Sequence, residues 1–86
     1  MLQTEAIRQR ILDALPPGSE AQVTDLLGTG DHFEARVVSA AFSGRSMVEQ
    51  HQLVYAPLQD WLKTGELHAL ALKTYSPEQW QRLGKR

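Results

Sequence analysis

Three histidines are the side chains with the widest chemical reach in this sequence: His32, His51 and His68. Imidazole ligates metals and titrates near neutral pH. Cysteine is absent, which excludes disulfides, cysteine-ligated zinc and thiol nucleophiles. No GxSxG elbow, P-loop or GxGxxG motif occurs. Asp31 would repel a phosphate, which argues against Gly28-Thr29-Gly30 as a phosphate cradle. Paired carboxylates do not cluster, and 86 residues leave little room to enclose a substrate. With no nucleophile–base pair to start from, the chain reads as a non-enzyme.

Taken singly, a histidine is most often a hydrogen-bonded structural residue. His51 falls on the inner stripe of a helix beside Val48 and Leu58, the place of a half-buried packing residue. His32 and His68 each open a strand, and those strands are expected to run parallel. Their starts then lie at one edge of the sheet, and the two imidazoles come to the same end of the molecule. Two ligands do not close a site, because a structural zinc takes four. Any metal there needs ligands from a partner.

The elements that position these residues follow from periodicity and caps. Ile7, Ile11, Leu12 and Leu15 recur at helical spacing, and Pro16-Pro17-Gly18 ends that helix. Ala21 to Leu27 reads as a strand, Gly28 to Asp31 as a turn, and His32 to Ala41 as a second strand. Phe33, Ala35 and Val37 alternate onto its core side. Phe42 to Arg45 is a connection. Ser46-Met47-Val48-Glu49 is a capping box opening a helix. Met47, Val48, His51, Val54, Tyr55, Leu58 and Leu62 mark its inner stripe. Pro57 either kinks this helix or starts a second short one, and Lys63 and Gly65 mark its end. Leu67 to Tyr75 is the third strand. Ser76-Pro77-Glu78-Gln79 is a second capping box, with Trp80 and Leu83 anchoring the last helix before Gly84.

The order is α-β-β-α(α)-β-α, an α/β (α+β) arrangement in one domain over residues 1–86. A hairpin followed by a helical crossover gives a three-stranded mixed sheet, with helices expected on one face. An apolar fraction of 42% and a charged fraction of 22% are ordinary for a globular chain. Net charge is −1, without the basic excess of a general nucleic-acid binder. No apolar run exceeds four residues, too short to span a membrane. Glu5, Arg8 and Arg10 break the place of a signal-peptide core. The expected location is the cytoplasm.

Five segments resemble the BolA family, in family order and spacing. Gly30-Asp31-His32-Phe33 is similar to its G-S-H-F start of strand two. Val37-Val38-Ser39 with Phe42-Ser43-Gly44 is similar to VVS..F.G. Gln50-His51-Gln52-Leu53-Val54-Tyr55 is similar to the RHR helix, with glutamines in place of both arginines. Leu67-His68-Ala69-Leu70 matches the H-A-L strand, and Thr74 to Trp80 resembles T-x-T/S-P-E-W. The short loop and the Val54 to Leu58 segment resemble the IbaG-type branch.

The resemblance implies an αββααβα fold, similar to a class II KH domain. It implies a monothiol glutaredoxin as partner and a shared [2Fe-2S] cluster, held by glutaredoxin cysteine and glutathione on one side and by this chain on the other. The isolated chain would hold none. The histidine of the H-A-L strand is the family's constant ligand, which carries over to His68. The second ligand comes from the loop before strand two, where His32 stands at the loop's end. A homodimer stays open as a further partner, and no membrane is implied. The alternative that the resemblance implies is a DNA-binding regulator of stress or morphology genes, working through the KH-like surface. Arg36, Arg45 and Lys73 would form its positive patch, but no glycine pair has GXXG spacing.

Overall fold

The computed structural model describes residues 2–28 and 32–84. The elements run α1 (Thr4–Asp13), β1 (Glu20–Asp25), β2 (His32–Val38), α2 (Met47–Tyr55), α3 (Gln59–Thr64), β3 (Ala69–Tyr75) and α4 (Pro77–Arg82). Short 3-10 turns fill Ala40–Phe42 and Ala56–Leu58. The sheet order is β1-β2-β3, antiparallel for the first pair and parallel for the second. The mixed sheet predicted from the connections is present.

Alternation decides the two faces of that sheet. Phe33, Ala35 and Val37 of β2 are buried, and Leu70 and Thr74 of β3 share their face. Ile7 and Ile11 of α1, Val54 of α2 and Leu58 meet them there with no exposed surface. Burying a side chain of this size contributes roughly 1.5–3 kcal/mol. Pro57 sits in the 3-10 turn, so the long helix divides into α2 and α3, and Gly65 closes α3 at a φ of +84°. Both capping boxes form as read, at Ser46–Glu49 and Ser76–Gln79. After the second box α4 turns past the sheet's end. It sets Trp80 against Tyr75 and Arg36, which belong to the face opposite the core.

Several expectations are corrected. β1 ends at Asp25, not Leu27. The Asp25 carboxylate accepts the Gly28 N–H at 2.9 Å, which turns the chain and leaves Leu26 and Leu27 exposed. The rest of the predicted turn, residues 29–31, lies outside the described residues. β2 ends at Val38, not Ala41, because the Ser39 hydroxyl accepts the Ala41 N–H and starts a 3-10 turn. Phe42, read as connection, ends that turn fully buried. β3 begins at Ala69, not Leu67: the Leu67 N–H donates to the Trp61 carbonyl before strand pairing starts.

The inner stripe of α2 is also different. Met47 and Val48 are 62% and 65% exposed, while Gln50 is 4% exposed. The capping box places the first two helical residues toward solvent. Gln50 lies inside because its amide donates to the Phe42 and Arg45 carbonyls, and its oxygen accepts from the Thr74 hydroxyl at 2.7 Å. Leu83 does not anchor α4. It follows the last helical residue and is 62% exposed.

Candidate metal centre at the sheet edge

His32 is the first residue of β2, and its backbone stands opposite Ala69, the first residue of β3. His68 immediately precedes Ala69. Parallel pairing thus brings both histidines to the same edge, and their ring centroids lie 5.1 Å apart with the planes at 52°. Two local features hold this edge. The Leu26 N–H donates to the His32 carbonyl at 2.9 Å, closing the hairpin beside it. Leu67, 1% exposed, plugs into the core and fixes the backbone just before His68. His68 is exposed and His32 half-buried, so the pair faces outward.

The donor chemistry fits part of a metal site. Neutral imidazole nitrogens suit zinc, copper and iron. Among the described residues no group of three His, Cys, Asp or Glu side chains is arranged to hold a metal ion. His51 therefore does not complete a triad with the pair. It is half-buried on α2, and its Nε2 is sealed from solvent without a hydrogen-bond partner. The pair brings two imidazoles, which could serve as metal ligands, to one edge.

The three basic residues named for a nucleic-acid surface fall in two places. Arg36 and Lys73 are neighbours across β2 and β3 on the open face of the sheet. Lys73 pairs with Glu34 at 3.0 Å, and that hydrogen bond and charge raise its pKa above the ordinary lysine value. The Arg36 guanidinium lies 4.7 Å from the centre of the Trp80 ring. Arg45 lies elsewhere, in a shallow depression with Gln50, Glu78 and Arg82, and its Nε donates to the Ala41 carbonyl. Trp61, the other tryptophan, lies half-buried under the Arg10 guanidinium, which also grips Asp60 through two bonds of 2.7 and 2.9 Å. That grip holds the Asp60 carboxyl below its usual pKa.

No helix among the described residues is long and apolar enough to cross a membrane. Comparison with known proteins agrees with the fold and the motif order. The family model described as BolA-like protein matches residues 14–79. A protein of Haemophilus influenzae is 47% identical over 55 residues, covering 64% of this chain and 65% of that one. The acid stress protein IbaG of Escherichia coli is 31% identical over 81 residues, covering 94% of this chain and 92% of that protein. Among solved structures, the BolA domain of SufE1 from Arabidopsis thaliana superposes with a TM-score of 0.75 at 38% identity. It covers 91% of this chain and 98% of that one. Fold, motif order and relatives agree: the chain belongs to the BolA family, in its IbaG-type branch.

Proposed function

We propose that this chain is a cytoplasmic, non-enzymatic partner of a monothiol glutaredoxin, with which it shares a [2Fe-2S] cluster in iron–sulfur trafficking or iron and redox sensing. The observation that carries this reading is the His32–His68 pair, with ring centroids 5.1 Å apart at an exposed edge. A lone imidazole would be bland. Two at one edge, with no third ligand within the described residues, form half of a coordination sphere. His68 and His32 would hold one iron, and the partner's cysteine and glutathione the other. When bound, the cluster supplies one-electron chemistry and a transferable iron–sulfur unit, and an imidazole pair raises its potential above that of an all-thiolate site.

The chain's own residues do three things. Leu67 and the β2–β3 pairing set the spacing of the pair. The Leu26–His32 backbone bond holds the hairpin against it. The exposure of His68 leaves it accessible to a partner. The DNA reading draws no comparable support, because Lys73 is paired with Glu34, Arg36 lies against Trp80 and Arg45 lines a different depression from both.

Anaerobic reconstitution with a monothiol glutaredoxin and glutathione tests the reading by visible absorption and circular dichroism. The native chain should change the spectrum from that of glutaredoxin alone. His68→Ala should abolish the change and His32→Ala should weaken or abolish it. A His68→Ala chain that keeps the native spectrum would sink the assignment.

A further inference from the structure

The chain has no cysteine, so its two methionines are its only sulfur-bearing side chains. A thioether accepts an oxygen atom and gives it back through methionine sulfoxide reductases. Met1 lies outside the described residues. Met47 is the first residue of α2, just past the Ser46 cap, and is 62% exposed. Yet its sulfur lies 4.0 Å from the Thr74 hydroxyl, and Thr74 is buried. The thioether therefore meets solvent on one side and a sealed polar group on the other.

Thr74 has a single hydroxyl proton. It goes to the Gln50 side-chain oxygen at 2.7 Å, a bond that ties β3 to α2. A thioether sulfur is a weak acceptor and does not compete for that proton. A sulfoxide oxygen is strongly polar and does. Added on the Thr74 side of the sulfur, it stands within hydrogen-bond reach of the hydroxyl, because the S–O bond closes much of the 4.0 Å gap. Methionine turns about several bonds, so an exposed one reaches that orientation. Gln79 and Arg82 line the same groove but are exposed, so water competes for their N–H groups. The Thr74 hydroxyl faces no such competition. Once its proton moves to the sulfoxide, the buried Gln50 oxygen loses its donor.

We propose that Met47 is a reversible oxidation site for peroxide-class oxidants, and that its sulfoxide loosens the Thr74–Gln50 bond joining α2 to β3. In the step, a lone pair of the Met47 sulfur attacks one peroxide oxygen. The O–O bond breaks and an S–O bond forms. Sulfur is oxidised by two electrons, the peroxide is reduced, and hydrogen peroxide leaves as water. The oxidant comes from solution. Its presence is then read as stability at the end of the sheet opposite the histidines.

Hydrogen peroxide is the probe. The full chain, Met47→Leu, Thr74→Val and Thr74→Ser are treated alike, and peptide mass spectrometry locates the added oxygen. In the native chain Met47 should gain one oxygen atom, and the Thr74 amide and Gln50 side-chain amide resonances should shift. The unfolding equilibrium constant should rise about three- to tenfold, the size of one lost neutral hydrogen bond. A methionine sulfoxide reductase should reverse both changes. Met47→Leu still contains Met1 and corrects for oxidation there; its unfolding constant should change less than about twofold. Thr74→Val should take up the oxygen at Met47 with a change under about twofold between its reduced and oxidised forms, because the hydroxyl is gone. Thr74→Ser keeps the hydroxyl and should respond as the native chain does, and it carries the comparison with Met47→Leu if Thr74→Val does not fold.

A Met47 that stays reduced while Met1 is oxidised would overturn the site. Oxidation that leaves the Gln50 resonances unmoved, or that destabilises Thr74→Val as much as the native chain, would overturn the coupling. So would shifts confined to Gln79 and Arg82, which would place the oxygen on α4.

Discussion

Where β2 and β3 end, at Val38 and Tyr75, polar side chains turn inward; where they begin, at His32 and Ala69, they turn out. At the far end Ser39, Gln50, Thr74 and Ser76 are all at most 5% exposed. The Ser39 hydroxyl accepts from Ser19 and from the Ala41 N–H, and its backbone N–H donates to the Tyr75 carbonyl. Gln50 ties Phe42, Arg45 and Thr74 together, and Ser76 exchanges bonds with Gln79. Glu78 beside them accepts from the Ser43 hydroxyl, and hydrogen bonds, its own backbone N–H foremost, hold its carboxyl below the usual range. The side chains of Ser39, Gln50, Thr74 and Ser76 are all hydrogen-bonded, as burial requires, whereas the Trp80 Nε1 beside them is buried without a partner. At the near end His68 is exposed and His32 half-buried. Satisfied polar groups fix the fold at the far end; the residues proposed for binding stand at the more exposed one.

Breaking the closed end should be costly to stability and nearly silent in binding. Phe42→Ala removes a fully buried ring beside the Gln50 hub. It should destabilise the fold by about 3–5 kcal/mol in chemical denaturation. A loss under about 1 kcal/mol would mean that Phe42 does not hold that end.

Gln50→Ala comes next. It strands two carbonyls and the Thr74 hydroxyl in a buried site, at a cost of about 1–3 kcal/mol. Its glutaredoxin titration, measured well below the melting point, should match the native chain. Ser76→Ala removes one cap and should cost about 1 kcal/mol by the same denaturation.

The open end should behave in reverse. His68→Ala and His32→Ala should alter stability by no more than about 0.5 kcal/mol, because neither side chain is buried. Both should nonetheless impair cluster formation. A His68→Ala chain destabilised as much as Gln50→Ala would show that the pair belongs to the scaffold and would remove the contrast.

The unequal legibility of the two ends has the same cause. The His32–His68 meeting followed from topology alone, since a helical crossover makes β2 and β3 parallel and both histidines stand at strand starts. The capping boxes followed from residue type and spacing. Phe42 and Gln50 were hidden for opposite reasons. Phe42 lies past the break in strand alternation, where a 3-10 turn redirects it inward. Gln50 is polar, so only the carbonyls of Phe42 and Arg45, brought near by folding, account for its burial. Met47 and Val48 are exposed although apolar, because apolar atoms cover much of any protein's surface and apolar character alone does not dictate burial. The α4 reversal onto the opposite face leaves no periodic trace in six residues.

The smallest effect separates surface charge from the buried hub. Glu34 and Lys73 form an ion pair of 3.0 Å on the open face, and both remain substantially exposed. Such pairs are screened by water and salt, unlike the Gln50 bonds. Lys73 is raised above 10.5 chiefly by its hydrogen bond to Glu34, then by the charge itself. A raised lysine contributes stability that is fully present below the unfolded value and is lost as pH climbs through the higher folded one. Glu34→Gln should therefore move the Lys73 titration, followed by NMR of its side chain, down toward 10.5. The difference in melting temperature between Glu34→Gln and the native chain should be smaller than for any closed-end variant. It should shrink with added salt and vanish at pH values above the Lys73 titration. An unshifted Lys73 midpoint in Glu34→Gln would mean that the pair does not hold in solution. The open face would then present Lys73 as a free cation beside Arg36, and the case against a nucleic-acid surface would lose one of its supports.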